Sequence, residues 1–155
     1  MASRALADDE LLIERVFAAP PDLVFDMWAD QKHFMAWIGP VGFHCTEASL
    51  DFQVGGAWGA TIVSAQHGTS RMGGRYLEIE PGRKIVMSFR WLNGEPDPET
   101  VITLTFTPVD GGTLQSFHQT PFDNVPRRDS HIGGWNQAFD REQTHAETQA
   151  QELAR

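Results

Sequence analysis

His118 and Gln119 are the polar pair best placed for chemistry in this chain. They are neighbours on a strand-like run, so they point to opposite faces. Phe117 shares a face with Gln119, while Leu114 and Ser116 share the other with His118. An inward Phe117 sends Gln119 inside and His118 towards solvent; a parity set by Leu114 does the reverse. A histidine in a pocket acts as acid or base near neutral pH, although a strand histidine is more often a surface or hydrogen-bonded residue. Arg15 and Glu78 are strand polars within reach of an interior, and Arg15 is expected to run its stem along the apolar face to the rim. Asp51, ahead of Gly55-Gly56, reads as support for a turn. Other chemistries lack their residues. The carboxylates show no acid/base spacing, and the six histidines are scattered, none paired at helical i, i+4 spacing or with Cys45. The glycine pairs fit hairpins, no nucleophile elbow is present, and neither a metal nor a cofactor is expected.

The aromatic residues say more. Five Trp and ten Phe in 155 residues is a high load for a small domain. Trp37, Trp58, Phe89, Trp91, Phe106, Phe117, Trp135 and Phe139 occupy positions that can face one interior; with Gln119 they form the candidate ligand-binding set. Small-molecule pockets are mostly apolar with a few orienting polar groups. Taken singly, each of these rings is more often an ordinary core residue than a ligand contact; as a set, several are expected to line a cavity.

The elements that must position them follow from periodicity and turn chemistry. The chain is expected to open with a frayed, disordered tail over 1–9, then a strand over Glu10–Phe17. Pro20-Pro21-Asp22 opens a short helix through Trp28, and Asp30 begins a second that carries Phe34 and Trp37 and ends at Gly39-Pro40. Five turn signals then separate six strands: Gly55-Gly56, read as a two-residue hairpin between 43–54 and 57–65, His67-Gly68, Pro81-Gly82, Asn93-Gly94 with Pro96 and Pro98, and Asp110-Gly111-Gly112. In Thr100–Thr107 and Arg83–Leu92 apolar residues alternate with others, so the sheet has one dry face. The cover is the last stretch. Ile132, Trp135 and Phe139 share a helical face, Asp123 or Asn124 caps it, and a helix over 127–150 runs roughly 36 Å. The prediction is an α+β fold in one domain over 1–155: a curved seven-stranded antiparallel sheet gripping a long C-terminal helix, with two short helices after the first strand and a hollow near them.

Composition sets the outer bounds. With 12 basic and 21 acidic residues the net charge is −9, which argues against nucleic acid or anionic membrane as partner. No apolar run approaches ~20 residues. The first ten residues lack a secretory pattern and Cys45 is single, so a cytoplasmic protein is expected.

The motifs in order resemble the START-like, or SRPBCC, superfamily with the helix-grip fold of the birch pollen allergen, and within it the homologues of the heat-shock protein 90 ATPase activator. The matching pieces are Arg15–Pro20 with Val24 and Phe25, Trp37–Pro40, Asp51–Gly56 with Trp58, Tyr76–Pro81, Phe117–Phe122 and Gly133-Gly134-Trp135-Asn136. The family usually carries leucine seven residues past the tryptophan. Here that position is Glu142, which reads either as the start of a less buried, frayed helix end or as an acid wanted at that place. The resemblance implies binding of a small hydrophobic or aromatic molecule between sheet and helix. Its alternatives are a cyclase-, dehydratase- or hydrolase-like enzyme on such a molecule, using Gln119, His118 or Glu142, and a chaperone ATPase regulator in the stress response. The activators resembled carry a further amino-terminal domain, and none is expected here. The edge strands permit a homodimer.

Overall fold

A computed structural model of the protein describes residues 6–94 and 97–154. Met1–Ala5 of the expected tail, and Pro96 of the Asn93-Gly94 connection, lie outside them. Seven strands build one antiparallel sheet: β1 (Leu11–Phe17), β2 (Phe43–Leu50), β3 (Ala57–Ser64), β4 (Gly68–Glu80), β5 (Lys84–Trp91), β6 (Thr100–Val109) and β7 (Gly112–Thr120). Their order is β1-β7-β6-β5-β4-β3-β2, a meander whose last strand returns to pair with the first. Between β1 and β2 lie α1 (Pro21–Ala29) and α2 (Gln31–Trp37), and α3 (Val125–Leu153) closes the chain. This is the helix-grip arrangement, with one long helix across the concave face.

Local chemistry explains the short helices. Pro21 stands in the first turn of α1, where a missing N–H costs nothing. Asp30 ends α1 and caps α2 through its side chain, which accepts from the N–H groups of Lys32 and His33. Gly39 (φ +113°) and Gly42 (φ +89°) then reverse the chain into β2.

The expected alternation is present. Ile102, Leu104 and Phe106 of β6 and Thr113, Gln115, Phe117 and Gln119 of β7 are buried on one face. Register shifts at Cys45/Glu47 and Tyr76/Glu78 mark bulges that bend the sheet. Next to the second, Gly74 lies so close to β5 that a Cβ would sit 2.0 Å from the Ser88 carbonyl oxygen.

Two expectations need correction. β2 stops at Leu50 and 51–56 is a loop, not a two-residue hairpin turn. The glycines are spent elsewhere: Gly55 N–H donates to the Tyr76 carbonyl and Tyr76 N–H to the Gly56 carbonyl, so the loop docks on β4. Nor does α3 fray beyond Arg141. It runs 29 residues, about 43 Å at 1.5 Å per residue, and Glu142 and Ala146 are both fully buried. Asn124 caps its start, accepting from Arg127 N–H at 2.8 Å. Ahead of β1, the Asp9 carbonyl accepts from Phe122 N–H and the Thr120 hydroxyl, and the Asp8 carbonyl from Arg128, which ties residues 8 and 9 to the β7–α3 junction.

The buried stripe of α3 is Trp135, Ala138, Phe139, Glu142 and Ala146, at the i, i+3, i+4, i+7 spacing of a core-facing helix. Its rings meet the sheet and α1 at Phe117 (5.2 Å from Phe139) and Trp28 (6.1 Å from Trp135). No described helix is long and apolar enough to cross a membrane. Because Gly74 is pressed against β5 backbone, Gly74→Ala is expected to destabilise the protein by about 2 kcal/mol or more, as overpacking does. Urea unfolding followed by circular dichroism measures it, and an unchanged midpoint would contradict the close approach.

Candidate functional site

A cavity of about 400 Å³ lies between the amino-terminal half of α3 and strands β3 to β5, bounded at one end by the Ile38–Phe43 segment that follows α2. Its walls are Ile62 of β3, Met72 of β4, Phe89 and Trp91 of β5, Trp135 and Ala138 of α3, and Ile38, Pro40 and Phe43 of that segment. Polar groups enter from Ser70, Arg127, Ser130 and His131. Gly134 completes the α3 wall, and a Cβ built on it meets nothing within 4 Å. The segment is stapled to α3: Arg141 donates to the carbonyls of Gly39 (2.8 Å) and Phe43 (3.0 Å), and Gln137 accepts from Val41 N–H.

Arg127 and His131 of the rim are paired within the protein. One Arg127 nitrogen reaches both carboxylate oxygens of Asp97, at 2.7 and 2.8 Å, and its Nε lies 3.5 Å from Asp123. His131 accepts from Trp91 Nε1–H at 3.0 Å, so its Nδ1 carries the proton and donates to the Arg127 carbonyl at 2.9 Å. The bond from Trp91 requires the neutral ring; the bond to the Arg127 carbonyl does not. Burial also pushes the His131 pKa down, and the Arg127 charge adds to that.

A second set of polar groups sits in the dry interior. Trp28 Nε1–H is shared between Gln115 Oε1 (3.0 Å) and Glu142 Oε2 (3.1 Å), and Gln115 Nε2 donates to Glu142 Oε1 at 3.0 Å. Burial raises the Glu142 pKa to about 8, against these hydrogen bonds and the Arg15 charge, which pull it down. Nearby, Gln119 Oε1 accepts from Trp135 Nε1–H at 2.9 Å and its Nε2 donates to the Thr100 hydroxyl at 2.8 Å.

The family model for activator of Hsp90 ATPase homolog 1-like protein matches residues 18–145, which includes every wall of this cavity. The chain belongs to that family. Solved structures agree on the fold. A Chromobacterium violaceum protein superposes with a TM-score of 0.82 at 28% identity, covering 91% of this chain and 99% of its own. The AHSA1 protein of Silicibacter pomeroyi gives 0.77 at 21%, covering 94% and 97%. A Nitrosomonas europaea protein gives 0.80 at 18%, covering 97% and 100%. No protein of curated function matches the sequence.

In this family member the residues named from the sequence divide into two groups. Phe89, Trp91 and Trp135 line the cavity. Trp37, Trp58, Phe106, Phe117, Gln119 and Phe139 do not; they pack the interior beside it. Trp37 donates to the Met27 carbonyl and meets Trp28 at 4.7 Å, and Trp58 donates to the Ser88 carbonyl. Phe106 lies 5.5 Å from Phe25, Phe117 4.7 Å from Trp135, and Phe139 5.6 Å from Trp135. Gln119 acts behind the wall by fixing the Trp135 indole. Alternation assigns each residue a face but not a place along the sheet, and one end of the concave face is filled while the other stays hollow.

Sequence reasoning missed Arg127, His131, Gly134 and Ser70. The first two stand at i and i+4 on the helix, in line with Trp135, and that spacing was the available signal. His118 is on the outer face, 2.8 Å from Glu10. His33 and His145, paired at 2.9 Å between α2 and α3, are 112 positions apart, beyond any local pattern.

Glu142 supplies a pH test. Its carboxyl holds a proton to about pH 8 when folded, against an ordinary value of 4.5. Its contribution to stability is therefore complete below the ordinary value and is lost as pH rises towards 8. Thermal melts at pH 5, 6.5 and 8 are expected to show the native protein losing stability across this range and Glu142→Gln losing less, by about 1 kcal/mol or more. Parallel slopes would contradict the buried protonated acid.

Proposed function

We propose that the protein binds a small, largely apolar ring-bearing molecule in the cavity beneath the first half of α3. The observation that carries this is Gly134. Glycine inside a helix costs about 1 kcal/mol relative to alanine, and nothing packs against this position that would exclude a side chain. Its backbone is ordinary helix, since it is not among the positive-φ glycines. The stability given up is explained by the room it leaves. Aromatic walls on two sides, a volume of about 400 Å³ within the usual range for small-molecule sites, and a polar rim at one end agree with a bound molecule.

Binding is favoured over catalysis by the state of the polar groups. His131, the titratable group on the wall that could exchange a proton near neutral pH, has both ring nitrogens engaged. Gln119 and Glu142, named as enzymatic candidates, do not line the cavity and are committed to Trp135, Thr100, Trp28 and Gln115. A role in regulating a chaperone ATPase has no comparable geometric support.

The uncharged fluorescent probe N-phenyl-1-naphthylamine tests this. The native protein is expected to enhance its emission saturably. Gly134→Ala should gain about 0.5–1 kcal/mol of stability and weaken binding several-fold, because its methyl enters the room the glycine leaves. Gly134→Leu should remain folded and lose binding at least tenfold. Equal binding by the leucine variant would place the probe elsewhere and remove the argument.

A further inference from the structure

We propose that the cavity selects an uncharged ring compound bearing a hydroxyl, and discriminates against the carboxylate and the ammonium built on the same ring. The inference rests on the binding reading above and goes beyond it by fixing the charge of the occupant. It comes from how the rim is balanced.

Among the residues lining the cavity, Arg127 is the charged one. Its cation is not available to compensate an incoming anion, because Asp97 and Asp123 already lie against it at 2.7 and 3.5 Å. A carboxylate brought to Arg127 would enter beside two others, on a protein of net charge −9. His131 offers no second cation. Its Nε2 must keep a lone pair to accept from Trp91, and Arg127, Asp97 and Asp123 are the charged groups acting on it. Charging that ring would set two N–H groups against each other across the wall.

A cation is disfavoured for a different reason. Among the described residues no acidic side chain lines the cavity, so an ammonium inside would surrender its hydration without finding an ionic partner among them. Its ring contacts with Phe89, Trp91 and Trp135 would recover part of that loss. At the rim the Asp97 carboxylate is already neutralised by Arg127, and that guanidinium repels a second positive charge beside it.

A hydroxyl fits what is left. Ser70 and Ser130 present uncharged groups that both donate and accept. Asp97, beside Ser70, Trp91 and Asn93 in the adjoining vestibule, spends one lone pair of each oxygen on Arg127 and has others to accept an O–H. A neutral group can be satisfied here without leaving any charge unpaired.

The test is isothermal calorimetry at pH 7 on the full chain with four matched probes: 2-methylnaphthalene, 2-naphthol, 2-naphthoate and 2-naphthylmethylammonium. 2-Naphthol is expected to bind at least tenfold more tightly than either ion and several-fold more tightly than 2-methylnaphthalene. Asp97→Asn, which releases Arg127 from its strongest partner, should narrow or invert the preference between 2-naphthol and 2-naphthoate by fivefold or more, with its thermal melt confirming the fold. An ion that binds as tightly as 2-naphthol to the native protein would overturn this inference while leaving the binding reading intact. So would an Asp97→Asn variant of unchanged selectivity. Failure of all four probes to bind would overturn both.

Discussion

Every tryptophan in the sheltered interior of this protein brings a hydrogen-bond donor into a place without water, and the matching of those donors holds the rest of the structure in register. An indole N–H left unpaired there would cost about 1–3 kcal/mol. Trp28 of α1 finds Gln115 and Glu142; Trp135 of α3 finds Gln119; Trp37 and Trp58 find backbone carbonyls. The first two pairings join α1, α3 and β7 at fixed separations. Apolar packing alone would let the long helix slide or roll over the concave sheet; a set of directional bonds among three elements does not. The helix is thereby held close to the sheet at Phe117 and Phe139.

Glu142 makes sense within that constraint. Leucine, the residue expected there from the family resemblance, would leave Gln115 Nε2 without its acceptor. The carboxyl takes donors from both Trp28 and Gln115, and low polarity keeps it protonated to about pH 8, so no bare charge is buried at neutral pH. This is a polar knot in an aromatic core, in which directional bonds join α1, α3 and β7.

Much of the architecture was legible in the sequence, because periodicity reports on faces. The alternation in Ile102–Phe106 and Phe117–Gln119 identified the dry side, and Ile132, Trp135 and Phe139 identified the helix that covers it. Turn residues marked the strand ends, except where Gly55 and Gly56 bond to Tyr76 of a different strand. What was not legible is depth. Whether an inward ring meets another ring or a void depends on how far along the sheet it lies, and single-chain patterns carry no such coordinate. Trp91 and Trp58 read alike in the sequence, yet one lines the cavity and the other is packed beneath Phe34 and Phe89. Glu142 was illegible for a related reason: its partners lie 27 and 114 positions away, and charged residues are seldom buried without such partners.

The adjacent glycines of α3 have a mechanical consequence as well as a spatial one. Gly133 and Gly134 separate the first two turns, held by the Asn124 cap and the Arg127–Asp97 pair, from the tightly packed length that begins at Trp135. Local helix opening is cheapest where intrinsic propensity is weakest and neighbours are few. Among the turns of α3 that face the sheet, those forming one wall of the hollow thus combine the weakest helical propensity with the fewest close neighbours, which leaves that wall more pliant than the aromatic core behind it.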